Sequence, residues 1–130
     1  MAWDDHAKKL AVKAIGTVES GLKYDSINYN DPITVGIGQW FGTRAAALLN
    51  RMRTEQPGKW TGVASSLNSD LSSHSSSANY WTGRYLSRAE GESLRSVLNA
   101  NAAIQNTQIV SDLEDYAGTA GSYGLSSENN

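Results

Sequence analysis

The chain contains no cysteine, which removes disulfide staples, thiolate metal sites and thiol nucleophiles together. No run approaches the roughly 18 apolar residues of a membrane span. The opening "MAWDDHAKKLAVKAIG" carries acid early and has no continuous apolar centre. It does not read as a signal peptide, so action outside the cytoplasm calls for another route of release. An excess of one charge is missing too: the formal net charge is -2, too small for a field that recruits nucleic acid or an acidic membrane. There is no internal repeat. "GIGQWFG" lacks the strand–loop–helix setting and the Lys-Ser/Thr pair of a phosphate-binding loop.

What is present is an ordinary globular composition. With 130 residues, 39% hydrophobic and 18% charged, the chain suits one domain around a single core. Trp3, Ala7, Leu10, Ala11, Ala14, Ile15 and Val18 mark one face of a first helix, with Asp4 and Asp5 at its start and Gly16 and Gly21 weakening its end. A second helix is expected from about Thr43, which can cap it. It buries Leu48, Leu49 and Met52, turns Arg44, Arg51 and Arg53 to water, and ends at "EQPGKW". Trp60, Val63, Ala64, Leu67 and Leu71 predict a third helix starting near Pro57. "SSHSSSAN" follows as a polar loop or flap, and its His74 has no close partner for a metal.

Ser87 and Glu90 match a capping box that opens the longest helix. Leu94, Val97, Leu98, Asn101, Gln105, Gln108 and Asp112 share one spacing series that turns from apolar to polar. Such a helix starts in the core and ends facing something polar. Ile104, Val110 and Leu113 indicate either a drifting stripe or a break near Asn106. The expected architecture is mainly α (α+β), with a helical domain over 1–117, a small β-hairpin or loop insert after the first helix, and a Gly/Ser-rich tail or linker over 118–130.

The insert carries the chemistry. Gly21, Asn28, Asn30, Asp31, Pro32, Gly36 and Gly38 are turn formers around "ITVGIG", so a short hairpin turning near residues 30–32 is predicted. Gly36 and Gly38 are either plain loop glycines or bare backbone that a ligand can approach. Glu19 falls in the last turn of the first helix, beside its apolar face. It is either a solvated surface acid or a half-buried one aimed into a cleft. Burial and the negative end of the helix dipole would both raise its pKa, which is what a proton donor to a glycosidic oxygen requires. A second group must serve the attacking water or the cationic sugar. Asp31 is the first candidate and Asp25 the second, and each also reads as a turn residue. Gln39 offers a donor and an acceptor for an N-acetyl or hydroxyl group. Tyr24, Tyr29, Trp40, Phe41, Tyr80, Trp81 and Tyr85 divide between core and sugar-stacking roles, with Trp40 and Phe41 as half core.

These residues resemble the lysozyme-like superfamily, especially the goose-type lysozymes and soluble lytic transglycosylases. They are also similar to catalytic domains of phage endolysins and tail-associated muramidases. In that family a helix ends in Glu-Ser and a Gly-Leu-Met-Gln segment closes the site. Here "VES" supplies Glu19 and Ser20, and "GIGQW" supplies Gly36, Ile37, Gly38 and Gln39 at a similar interval. The likeness covers roughly residues 7–52. Gly38 stands where the family has Met, and "SANYWTGRY" only echoes its Ala-Tyr-Asn-Ala-Gly signature.

The resemblance implies a mainly α fold with a small β element. It also implies a muramidase that cleaves the β-1,4 bond between N-acetylmuramic acid and N-acetylglucosamine, with Glu19 as general acid. Asp31 is then the assisting carboxylate, and Ser20, Tyr29, Gly36, Gly38, Gln39 and Tyr80 meet substrate. No cofactor or metal is expected. The expected partner is the peptidoglycan glycan strand, with no nucleic acid and no membrane insertion. The protein is expected to be a monomer, alone or joined to a wall-binding module. It would be made in a host cytoplasm and reach the wall after holin-type release, or be carried on a virion. A lytic transglycosylase forming 1,6-anhydromuramic ends, a chitosanase-like hydrolase and a non-catalytic wall-binding module are the alternatives.

Overall fold

A computed structural model describes residues 9, 10, 13, 23–75 and 77–122, with backbone alone at 78 and 116–122. From residue 23 on, the described chain opens with three short strands, β1 (Ile27–Asn28), β2 (Thr34–Val35) and β3 (Trp40–Phe41). Five helices follow: α1 (Thr43–Glu55), α2 (Ser65–Ser73), α3 (Ala78–Trp81), α4 (Arg88–Ala100) and α5 (Ala102–Ser122), with a 3-10 turn at Pro57–Lys59. The strands form one antiparallel sheet in the order β1-β2-β3, with Ile27 opposite Val35 and Thr34 opposite Phe41. The chain is thus mainly α-helical with a small β insert. Residues 9, 10 and 13 are helical as expected, but Leu10 is 54% exposed, so the predicted stripe does not bury it.

The hairpin between β1 and β2 turns across 29–33, where Asn30 and Pro32 predict it. The third strand was not legible. Trp40 and Phe41 point to opposite faces of the sheet, as successive strand residues must. Trp40 is 5% exposed and Phe41 47%, which agrees with a half-core pair.

In α1, Ala45, Ala46, Leu48, Leu49 and Met52 are buried, a spacing that keeps one side of the helix against the core. Burying each larger side chain contributes roughly 1.5–3 kcal/mol. The helix begins after Gly42 at φ 59, and no side chain caps it; Thr43 is its first helical residue rather than its cap. The third predicted helix starts later than its spacing suggests. Residues 57–59 make only a 3-10 turn, Gly62 takes φ 76, and α2 opens at Ser65. Trp60 and Val63 still pack partly buried on the core. Trp60 donates its Nε1–H to Asn68 Oδ1 at 2.8 Å.

The capping box forms as predicted. Ser87 Oγ accepts from the Glu90 N–H at 3.1 Å, and Glu90 Oε1 accepts from the Ser87 N–H at 2.9 Å. The helix it opens is not the longest as expected: it ends at Ala100, the break falls at Asn101 and not near Asn106, and α5 with 21 residues is longer than the 13 of α4. Asn101 Nδ2 donates to Val97 O at 2.9 Å and to Lys59 O at 3.1 Å, so a buried side-chain amide takes up a helix carbonyl and ties the kink to the 3-10 turn. Beyond it α5 runs on through Ser122, into the Gly/Ser-rich stretch.

One polar cluster joins these elements. Arg84 Nη1 and Nη2 donate to the two Glu90 oxygens at 2.7 and 2.6 Å, and its Nε donates to Asp70 Oδ2 at 2.9 Å. Tyr80 donates its hydroxyl to Asp70 at 2.5 Å, and Ser66 donates to Glu90 at 2.7 Å. The side chains of Arg84 and Glu90 are only 15% and 8% exposed. Arg84, against the cost of burial, pulls the Glu90 carboxyl from 4.5 to about 2. The Tyr80 hydroxyl, followed by Arg84, holds Asp70 below its ordinary range, and the same bond raises Tyr80.

A carboxyl depressed in the folded state stabilises the fold above its unfolded pKa and loses that contribution on acidification. Glu90 should therefore contribute on the order of 3 kcal/mol at pH 7, lost as pH falls from about 4.5 toward 2. Urea unfolding at pH 7 and pH 3 checks this. Glu90→Gln should cost about 3 kcal/mol at pH 7, because the buried Arg84 loses its bidentate carboxylate and keeps only Asp70, and should flatten the acid dependence.

Candidate functional site

The insert that carries the predicted site is held by hydrogen bonds more than by its short strands. Gly36 N–H donates to Ser26 O at 2.8 Å, and Gln39 N–H donates to Gly36 O at 3.1 Å, closing a tight turn over 36–39. Gly36 sits at φ 85 and Gln39 at φ 48. The left-handed region costs a residue with a Cβ roughly 1–2 kcal/mol, so Gln39 is strained unless something holds it. Its own amide does so: Nε2 donates to Gly36 O at 2.9 Å and to Ser26 Oγ at 3.1 Å.

The Trp40 indole lies over this turn. A Cβ on Gly36 or on Gly38 would stand 2.9 Å from its ring atoms. Both glycines therefore seat a side chain of the same chain, so this close approach is by Trp40. Trp40 Nε1 donates to Asp112 Oδ2 at 3.0 Å. Asp112 also accepts from Arg44 Nη2 at 2.7 Å and from Gln108 Nε2 at 2.9 Å. The polar end of the last helix thus faces the Trp40 end of the insert. The polar turn of that spacing series was legible, but its partner was not.

The remaining expected residues divide clearly. Glu19 and Ser20 lie outside the described residues. Asp31 is exposed and accepts from the neutral amide of Asn28 at 2.8 Å. Asp25 is paired with Arg95 at 3.0 Å, a cation that offsets its charge. Tyr29 packs inward: Arg88 stacks over its ring at 4.1 Å, and the ring fills the space where Gly91 lacks a Cβ. Its hydroxyl is buried without a hydrogen-bond partner. Tyr80 is engaged by Asp70, and its ring stacks on His74 at 3.8 Å.

Gln39, Gly36 and Gly38 are therefore gathered in one turn, with Asp31 on the loop at the other end of β2. Tyr29 and Tyr80 belong to packing arrangements of their own. Ser26, Gln105 and Asp112 support the turn and were missed as site residues. Among the described residues, no group of three or more His, Asp or Glu is placed to hold a metal ion, and no helix is long and apolar enough to cross a membrane.

Trp40→Phe deletes the bond to Asp112 and also withdraws the outer six-membered ring of the indole, whose atoms are the ones that cover Gly36 and Gly38. A hydrogen bond to a half-exposed carboxylate is worth about 1–2 kcal/mol. The variant should show a lower urea midpoint at an unchanged m-value. No family model, curated protein or solved structure matches this chain.

Proposed function

We propose that this chain is a muramidase with a lysozyme-like fold, a glycoside hydrolase of the glycan strands of bacterial peptidoglycan, of the kind phages use as endolysins or carry on their tails. Glu19 is the general acid. It protonates the leaving oxygen of the β-1,4 bond between N-acetylmuramic acid and N-acetylglucosamine while positive charge develops on the sugar. Asp31 is the assisting carboxylate, directing water or stabilising the cationic ring. Asp25 suits that role less, because Arg95 already neutralises it at 3.0 Å. Asp31 is exposed and meets only a neutral amide in the contact that Asn28 makes with it.

The observation that carries the reading is Gln39. It stands in the segment that resembles Gly-Leu-Met-Gln, and its backbone is held at φ 48 by its own side chain and by Ser26. A non-glycine residue kept in a costly conformation, inside a turn pinned from several sides, is the kind of local strain that functional sites retain. In this reading the turn over 36–39 is a wall of the sugar cleft in which Glu19 acts. No cofactor or metal enters the reaction.

Glu19→Gln should lower release of soluble glycan from purified cell walls by at least about a thousandfold, with thermal unfolding within a few degrees of wild type. Retained activity in that variant sinks the assignment. Asp31→Asn should lower kcat by roughly a hundredfold. Mass spectrometry of the products should find reducing N-acetylmuramic ends. Anhydromuramic ends would make the enzyme a lytic transglycosylase, cleavage of chitosan alone would make it chitosanase-like, and wall binding without glycan release would leave a binding module.

A further inference from the structure

We infer that Gln105 is a positioning residue for the glycan site: it sets where the turn over 36–39, and with it Gln39, stands relative to the core. The inference rests on the muramidase reading, but the contacts that motivate it do not. Gln105 is 0% exposed, an unusual place for a primary amide unless its bonding capacity is used. Its Oε1 accepts the Ile37 N–H at 2.8 Å. Its Nε2 donates to Leu98 O at 2.8 Å and to Tyr24 O at 3.2 Å. One side chain therefore joins three parts of the chain: α4, the entry to the insert, and the middle of the turn.

The fit is specific on both sides. A Cβ on Gly36 would stand 2.7 Å from Gln105 Oε1, so the turn approaches this closely only because residue 36 is glycine. Ile37 is itself buried, so its N–H has no water to turn to if the amide is removed. Ile37 lies two residues before Gln39, and the two share one turn closed by the Gly36–Gln39 backbone bond. Loss of the Gln105 bond frees that turn to shift. A shift of the order of 1 Å is enough to spoil a hydrogen bond to a sugar substituent.

Gln105 has no part in proton transfer in this reading, so its effect should fall on binding rather than on chemistry. Gln105→Met keeps the length and volume of the side chain and deletes all three hydrogen bonds. It should accelerate exchange of the Ile37 amide proton by at least about a hundredfold and raise KM for soluble uncrosslinked peptidoglycan strands by at least about tenfold. It should leave kcat within about threefold. Gly36→Ala, which crowds the same contact from the opposite side and leaves the bonds to Leu98 and Tyr24, should shift KM in the same direction. Leu71→Val, a loss of packing in α2, should lower the melting temperature without moving KM.

Unchanged KM in both turn variants, with wild type cleaving normally, overturns the positioning role and leaves the muramidase reading standing. Equal loss of kcat in Gln105→Met and Leu71→Val, with no rise in KM, also overturns it, since loss of stability then explains everything. If Gln105→Met does not fold, Gly36→Ala carries the test alone, and failure of both to fold overturns a role separable from folding. A wild type that neither binds nor cleaves the strands overturns both readings.

Discussion

A guanidinium with little access to water persists only where carboxylates meet it, and Arg84 meets two. Its fork takes both oxygens of Glu90 on α4, and its Nε takes Asp70 on α2. Moving Arg84 away would strand its own charge and that of the buried Glu90, so the segment carrying Arg84 cannot drift from those helices without large cost. The same residue reaches the insert through its backbone: Arg84 O accepts the Ile33 N–H at 2.7 Å, and Ile33 O accepts the Gly42 N–H at 2.9 Å. The ion-pair cluster is thereby wired to the loop that bears Asp31 and to the start of α1. Such clusters add little net stability compared with an apolar core, but they admit few alternative arrangements.

The insert has a second, independent anchor in α5. Three two-residue strands are too short to be stable alone, and the sheet gains its order from what it lies against. Gln105 takes the turn from beneath through Ile37, and Asp112 takes Trp40 through its indole N–H. Tyr24 completes the contact, with its hydroxyl on Asn106 Oδ1 at 2.7 Å. The break at Asn101 separates α5 from α4, and Asn101 remains buried with its Nδ2 donating to Val97 O and Lys59 O. The geometry of the insert is thus a property of α5 as much as of the segment that contains the predicted site residues.

Much of the helical framework was legible because its signals are local. The buried set of α1 and the Ser87–Glu90 box depend on residues within two turns of one another. The misplaced start of α2 has a clear cause. Trp60 and Val63 continue the apolar spacing of Leu67 and Leu71, yet they pack from non-helical backbone after Gly62 turns positive in φ. Periodicity records which residues reach the core, not which backbone carries them. The break at Asn101 was displaced for a related reason: an Asn in a helical series reads as polar surface until its amide is seen binding Lys59, far away in the chain. In the site, Gln39 and Asp31 were legible as polar groups in a turn-rich insert. Tyr29 and Tyr80 were legible only as aromatics, and the partners that occupy them, Arg88, Gly91, His74 and Asp70, come from distant or separate segments.

The amino-acid order alone determined that the chain would be mainly helical with a small turn-rich insert. Periodicity, capping and turn chemistry act over a few residues and are written directly in it. It also singled out Glu19, Asp31 and Gln39 as the groups with chemistry to offer. Only the tertiary structure decided that the two site glycines seat Trp40, that Asp25 is spent on Arg95, and that a fully buried Gln105 holds the turn. The last two depend on contacts between residues some 70 positions apart, and a hydrogen bond at that separation leaves no spacing pattern to read; the first depends on the tight turn that brings the Trp40 ring back over residues only two and four positions before it.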